Sequence, residues 1–358
     1  PEFQGEWEKC KLGDYGKVVT GNTPPTKDIE NYENGTYLWA SPADLGTIKS
    51  ITETKTMLSA QGFSKTRTLP KGSVLVTCIG STIGKTGMAT KEMSTNQQIN
   101  SIVVNDNNDN EFVYYAIQSA FPRYLSSIAV QAVPIISKSA FELLPNNRPY
   151  LQEQKKIGKS LSLLDERIAT QNKIIDKLQS LIKGIAQKIV HSNKPNVRLS
   201  ECLECKSSTL QESEVCEQGT YPVYGANGIV GYLDNYNTES EAVYIIKDGS
   251  GVGTVSYVTG KCSATGTLNT LQAKEGYSLH YLYYLLKVFN FEPYKTGMAI
   301  PHIYFKDYGK AKVFCPSYTE QLQYARLLSA IDNKLSIEQN ILTELSLQKQ
   351  CLLRQMFI

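Results

Sequence analysis

The chain has 358 residues, enough for two or more domains, and 41% hydrophobic with 20% charged residues is ordinary for a soluble globular protein. That composition excludes a disordered chain, and no apolar run approaches the roughly 20 residues needed to cross a bilayer. A net charge of +3 is too small to prove a nucleic-acid partner.

The start, Pro1 to Trp7, has neither a basic n-region nor an apolar h-region, so a cytoplasmic location is expected; the opening proline leaves room for a natural start upstream. Up to residue 148, β-rich runs such as Val74 to Cys78 and Ile102 to Val104 alternate with turns such as Asn22 to Pro25, and an amphipathic helix is expected at Glu111 to Ala120. Residues 149–192 then read as one long helix. Ile157, Leu161, Leu164, Ile168, Ile175, Leu178, Ile182, Ile185 and Ile189 fall at alternating gaps of four and three, interrupted by Gln171. This helix carries eight Lys or Arg against four Asp or Glu and should stop near His191, before Ser192-Asn193-Lys194-Pro195. Residues 193–315 resume the β-rich pattern, with a strand at Ala242 to Ile246, a turn at Asn227-Gly228 and a helix at Leu279 to Val288. Residues 316–358 form a second long helix, with Tyr324, Leu328, Ile331, Leu335, Leu342, Leu345, Leu352 and Met356 on its seam and Glu338 where the first has Gln171. Pro149 and Pro316 suit a first helical turn, and Ser317 with Glu320 has the capping-box pattern.

The chain is therefore built twice. The helices repeat at an offset of 167 residues. The segments before them repeat at 169: Gly80-Ser81-Thr82-Ile83-Gly84 onto Gly249-Ser250-Gly251-Val252-Gly253, Ile99 to Ile102 onto Leu268 to Leu271, and Tyr114-Tyr115 onto Tyr283-Tyr284. Ala132-Val133-Pro134 meets Ala299-Ile300-Pro301 at 167 again. The expected fold class is α+β, with two globular α+β domains in tandem (1–148 and 193–315), each followed by a long helix (149–192 and 316–358). The helices are expected to pair as an antiparallel coiled coil with pseudo-two-fold symmetry, Gln171 and Glu338 setting register.

Catalytic motifs are not found. Gly80 to Thr86 imitates a P-loop, but three residues separate its glycines where four are needed, and the copy at Gly249 to Thr254 has no lysine. Gly249 to Gly253 lacks the helix that a cofactor loop requires, because Thr254 to Thr259 reads as strand; a hairpin is preferred. Asn22-Thr23-Pro24-Pro25 falls short of the adenine-methyltransferase signature. Cys202 and Cys205 have no partner pair at zinc spacing, and His191, His280 and His302 show no ligand spacing. No metal and no cofactor are expected.

Two similar heads on an antiparallel rod of roughly 60 Å would suit a repeated ligand, and duplex DNA offers half-sites spaced by turns of about 34–36 Å. Unlike heads imply unlike half-sites. At this point the chain resembles the DNA-specificity subunit of a type I restriction-modification enzyme over essentially its full length. The carriers are Gly5-Glu6-Trp7-Glu8 with Lys11-Leu12-Gly13, Gly80 to Lys85, Tyr221 to Tyr232, Gly297 to His302 with Phe305, and the helix openings Glu153-Gln154 and Glu320-Gln321. In the first copy Ala132-Val133-Pro134 departs from the pattern by lacking the histidine and aromatic that follow. The resemblance implies that each head is a target-recognition domain and that the helices are spacers. It also implies that two methyltransferase subunits and restriction/translocase subunits dock on the chain and supply methyl transfer from S-adenosylmethionine and ATP-driven cleavage.

Base edges are read by Arg, Lys, Asn, Gln, Ser and Thr, and phosphates by Lys, Arg or backbone amides. The DNA-binding candidates are Ser81, Thr82, Lys85, Thr86, Asn96, Gln97 and Gln98 in the first head. In the second they are Tyr224, Asn227, Lys247, Ser250, Thr254, Lys295, His302, Tyr304 and Lys306. Two alternatives stay open: an enzyme using ATP through Lys85 or S-adenosylmethionine through the glycine loops, and a coiled-coil scaffold with peptide-binding heads.

Overall fold

The computed structural model describes residues 7–127, 135–297 and 300–357. The chain divides into two compact units, Pro1–Thr170 with Leu342–Ile358, and Gln171–Ile341. This differs from a cut at 149, 193 and 316, because each head packs on the helix halves that cover it, so each long helix is shared between units.

The first unit contains β1 (Glu8–Lys11), β2 (Gly16–Thr20), β3 (Tyr37–Ala40), β4 (Ser50–Ile51), β5 (Thr56–Leu58), α1 (Ala60–Ser64), β6 (Val74–Thr77), β7 (Thr86–Ala89), β8 (Ser94–Thr95), β9 (Ile99–Val104), α2 (Asn110–Ser127), α3 (Lys138–Leu143), β10 (Pro145–Arg148) and the start of α4 (Leu151–His191). Its main sheet has the order β2-β9-β6-β7-β4, beside a β5-β3-β8 sheet and a β1-β10 pair. Central β6 is buried throughout because both of its faces are covered. Val74 and Val76 face a core with Phe112, Val113 and Ile117 of α2, whereas Leu75 faces Leu38 and Ala40 of β3. Each such fully buried side chain stabilises by about 1.5–3 kcal/mol. Helix α2 runs past the expected Ala120 and through Pro122, since packing of Phe121 and Tyr124 in the core offsets the hydrogen bond the proline removes. Phe357 joins that core, its ring 5.5 Å from Phe112 and 5.7 Å from Trp7.

The second unit contains the rest of α4, then β11 (Val197–Arg198), α5 (Leu199–Cys202), β12 (Leu203–Ser207), β13 (Tyr221–Gly225), β14 (Gly228–Leu233), β15 (Glu241–Ile246), β16 (Val255–Thr259), β17 (Ser263–Ala264), β18 (Leu268–Ala273), α6 (Leu279–Lys287), α7 (Phe305–Tyr308), β19 (Lys312–Val313) and the first part of α8 (Tyr318–Met356). Its sheets run β12-β18-β15-β16, β14-β13-β17 and β11-β19. Strand for strand this repeats the first unit, except that β4 has no counterpart among the described residues.

Pro149 and Pro316 lie just ahead of α4 and α8, not in their first turns. Their carbonyls accept from Gln154 Nε2 and Gln321 Nε2, each at 2.9 Å. The same glutamines accept from the backbone amides of Asp109 at 3.0 Å and Ser278 at 2.9 Å, tying α4 to the start of α2 and α8 to the start of α6. Glu320 accepts from Ser317 N at 3.1 Å, which is one half of the expected capping box, and from Ser317 Oγ at 2.6 Å.

Along the seam, Ile157, Leu161 and Leu164 are buried in the first unit and Ile175, Ile182, Ile189, Leu328 and Leu335 in the second. Ile168, Leu178, Ile185, Ile331, Leu342 and Leu345 are half-buried. Pairing is antiparallel within each unit. In the first, Ile157 and Leu161 share a core with Leu352 and Met356, while Asp165 meets Lys349. In the second, Gln171 Nε2 donates to Glu338 O at 2.9 Å, and Ile182 and Ala186 lie about a cavity with Leu335 and Asp332. Among the described residues, no helix is long and apolar enough to cross a membrane.

Candidate nucleic-acid interface

The two glycine-rich stretches are hairpin tips. Gly80 to Lys85 joins antiparallel β6 and β7, and Gly249 to Thr254 joins antiparallel β15 and β16. Gly80 and Gly84 have φ of 94° and 92°, and Gly249 and Gly253 have 95° and 90°, so left-handed turns are what the glycines supply. A strand follows each tip in place of the helix a phosphate loop needs, which removes the reason for reading Lys85 as an ATP ligand.

In the first head the tip and the Asn96–Gln98 turn are neighbours, because Cys78 N donates to Gln98 O at 2.8 Å. Ser81 and Gln97 are exposed, while Thr82, Lys85 and Gln98 are half-buried. Thr86 and Asn96 are buried, at 3% and 7% exposure, and cannot reach a ligand where they stand. Asn96 is used by its own turn, its Oδ1 accepting from Gln98 N at 3.0 Å and its Nδ2 donating to Gln98 Oε1 at 3.1 Å. The Lys85 stem packs over Gly46. Thr23 donates to Gln97, which links the turn to the Asn22–Pro25 segment. Arg67, absent from the sequence candidates, is exposed beside that segment, its Nη1 donating to Thr20 O at 2.8 Å and its amide to Asn22 Oδ1 at 2.8 Å. Its only sequence signal is a lone positive charge, which periodicity does not single out.

In the second head most candidates gather on one face. Gly249 N donates to Pro301 O at 3.0 Å and Ile303 N to Lys247 O at 2.9 Å, laying residues 301–303 along the hairpin tip. His302 Nδ1 lies 2.7 Å from Asp248 Oδ1, the His302 ring lies parallel to that of Tyr304, and Lys306 Nζ stands 5.2 Å from the Tyr304 ring centre. Lys295 Nζ is 2.5 Å from Glu292 Oε1. Ser250, Thr254, Tyr304 and Lys306 are exposed. Tyr224 lies behind, half-buried with its ring edge-on to Tyr244, and Asn227 is exposed in the β13–β14 turn. The resulting surface carries hydroxyls, an imidazole, a stacked tyrosine and several ammonium groups, a set able to contact base edges and phosphates. Met298 and Ala299 of the Gly297–His302 stretch, Gly5-Glu6 and Ala132-Val133-Pro134 lie outside the described residues.

Cys10, Cys78, Cys202, Cys262 and Cys315 are buried, Cys205 is half-buried, and Cys216 and Cys351 are exposed. Cys202 Sγ faces Cys315 Sγ at 3.8 Å, while burial pushes the Cys205 thiol up to about 11 and the Cys78 thiol up to about 12. Among the described residues no three His, Cys, Asp or Glu side chains are grouped as metal ligands.

A family described as the type I restriction modification DNA specificity domain matches residues 4–180 and 192–347. The chain is 30% identical over 182 residues to the type I restriction enzyme MjaIX specificity subunit of Methanocaldococcus jannaschii, covering 48% of this chain and 42% of that one. It is 25% identical over 277 residues to the putative type I specificity subunit S.MgeORF438P of Mycoplasma genitalium, covering 70% and 71%. The matched stretch is mostly about half the length of such relatives or less. The crystal structure of a type I restriction-modification S subunit from M. genitalium shares the fold at a TM-score of 0.73 and 20% identity, over 100% of this chain and 97% of that one. With the match spanning both heads and most of both long helices, the chain belongs to the type I restriction modification DNA specificity domain family.

Proposed function

We propose that the chain is the DNA-reading, non-catalytic subunit of a type I restriction-modification complex. Each head reads one half of a bipartite, unsymmetrical site in duplex DNA, and the paired helices set the spacing. Two modification subunits and the restriction subunits dock on it and bring methyl transfer and DNA cleavage. The observation that carries this reading is the duplicated head. The same strand order presents the same kind of hairpin tip twice, with Ser81, Thr82 and Lys85 on one and Ser250 and Thr254 on the other, beside His302, Tyr304 and Lys306. Equal frames with unequal tips suit two dissimilar half-sites.

The test is to exchange residues 195–314 for the matching part of a relative, co-express with the modification subunits, and map the methylated sequence. One half of the recognised site should change. Change in both halves, or in neither, refutes the modular reading. Matched insertion of one heptad in each long helix should lengthen the unread spacer, and an unchanged spacer counts against the ruler. Labelled S-adenosylmethionine and ATP should not bind the isolated chain.

A further inference from the structure

In the first unit, Tyr115 OH on α2 donates to Asp165 Oδ2 on α4 at 2.5 Å, and two lysines close this spot. Lys49 Nζ lies 2.7 Å from Glu111 Oε2, 3.2 Å from Tyr115 OH and 3.0 Å from Ser162 Oγ. Lys349 Nζ lies 2.6 Å from Asp165 Oδ1. Both ammonium groups stand over the Tyr115 ring, 5.3 and 5.5 Å from its centre, with side chains only 12% and 19% exposed.

The second unit repeats the acceptors but has no lysine in the place of Lys349. At offsets of 169 and 167 residues, Tyr284, Ser329 and Asp332 stand for Tyr115, Ser162 and Asp165. Tyr284 OH lies 3.2 Å from Asp332 Oδ2 and 3.4 Å from Ser329 Oγ. Ile182 stands where the first unit has Lys349, and His280 where it has Glu111. Lys49 directly precedes β4, a main-sheet strand that has no counterpart among the described residues of the second unit, so no lysine arrives by that route. Among the described residues Asp332 makes no ion pair. Two adjoining cavities of about 490 and 460 Å³ share Tyr284, Asp332 and Leu335 in their walls. Tyr257 and Tyr283 extend the aromatic wall of the larger, their ring centres 5.5 Å apart, and Tyr283 lies 4.9 Å from Tyr284. Lys287 stands over the Tyr283 ring at 5.0 Å and the Tyr284 ring at 6.0 Å, and it and Lys183 line the smaller cavity but not the larger one.

Tyrosine faces around a single carboxylate form a receptor for an ammonium or guanidinium group. We propose that this cavity receives a lysine or arginine side chain from a docking protein subunit, as its counterpart in the first unit receives lysines of the chain itself. That the subunit is a modification subunit rests on the functional reading above. Because the first unit is filled from within, the two modification subunits would dock through unequal contacts.

Two variants of the full chain test this. Asp332→Asn removes the charge at nearly constant shape, and Ile182→Lys supplies an internal ammonium at the position equivalent to Lys349. Ligand-observed NMR with n-butylguanidinium should show saturable binding to the wild-type chain, weakened at least tenfold in Asp332→Asn and in Ile182→Lys, with unchanged circular dichroism. Native mass spectrometry should show uptake of one modification subunit weakened at least tenfold in both variants. Absent probe binding, or equal binding by Asp332→Asn, overturns the cation pocket. Probe binding with unchanged subunit uptake overturns the protein partner and leaves a small polyamine as occupant. A wild-type chain that binds the probe but takes up no modification subunit overturns the functional reading and this partner together, and leaves the pocket standing.

Discussion

The side-chain amide of Gln171 donates to the main-chain carbonyl of Glu338 at 2.9 Å and to that residue's carboxylate, joining the polar interruptions of the two heptad series. Lys334 Nζ reaches the same carboxylate at 2.5 Å. Replacing Gln171 by Leu strands a buried acceptor and should cost about 1–3 kcal/mol. The double variant Gln171→Leu with Glu338→Leu should regain most of that loss, because an apolar layer completes the seam. Denaturant unfolding of the four proteins measures it; a double variant as unstable as the sum of the singles refutes the pairing.

The same carboxylate has a pH signature. The Lys334 ammonium first, and then the Gln171 amide, hold the Glu338 carboxyl below its ordinary value of 4.5. A depressed folded pKa means that the contribution is complete above the ordinary value and is lost as pH falls through the folded one. The stability difference between wild type and Glu338→Gln should therefore hold at neutral pH and shrink on acidification below about 4.5. A difference that grows on acidification contradicts the assignment.

Gln154 and Gln321 make the same two bonds in different units. Alanine at either position leaves a proline carbonyl and a helix-start amide unpaired, and should cost about 1–3 kcal/mol per buried group. Hydrogen exchange at Asp109 and Ser278 should rise in the respective variant. Protection unchanged at those amides would show that the glutamines are not the tie.

At the hairpin tips, alanine imposes left-handed strain of about 1–2 kcal/mol where it replaces a glycine of positive φ, namely Gly80, Gly84, Gly249 or Gly253. Gly249→Ala should cost only that, since nothing lies near the added carbon, whereas Gly84→Ala puts one 2.6 Å from Phe121 Cδ1 and should cost roughly 1–3 kcal/mol more. Gly253→Ala, at 3.1 Å from Phe291, should fall between. Melting curves in which Gly84→Ala and Gly249→Ala are equal would reject that order.

Exposure separates readers from props. Lys306→Ala should weaken binding to all duplexes about equally and lower the salt slope by about 1, while Ser250→Ala or His302→Ala should cost roughly 1–3 kcal/mol at one base pair of one half-site. Thr86→Val and Asn96→Ala should change stability and leave sequence preference alone. Fluorescence anisotropy with modification subunits present, across salt and across single-base variants, distinguishes these outcomes.

The sequence by itself determined the two long helices and the duplication. Apolar spacing of four and three is a local property of the chain, and so is the recurrence of Gly80 to Gly84 at Gly249 to Gly253. The carriers of the family resemblance were legible for the same reason, as short strings in a fixed order. Only the tertiary structure decided which polar residues are spent. Asn96 and Thr86 looked like readers until the turn and sheet buried them. Lys49 meets Ser162 across 113 residues, and Lys349 breaks the second heptad series to meet Asp165. Such partners are chosen by closeness in space, and a one-dimensional period carries no record of which distant segment fills a buried site or leaves it open, as it is at Asp332.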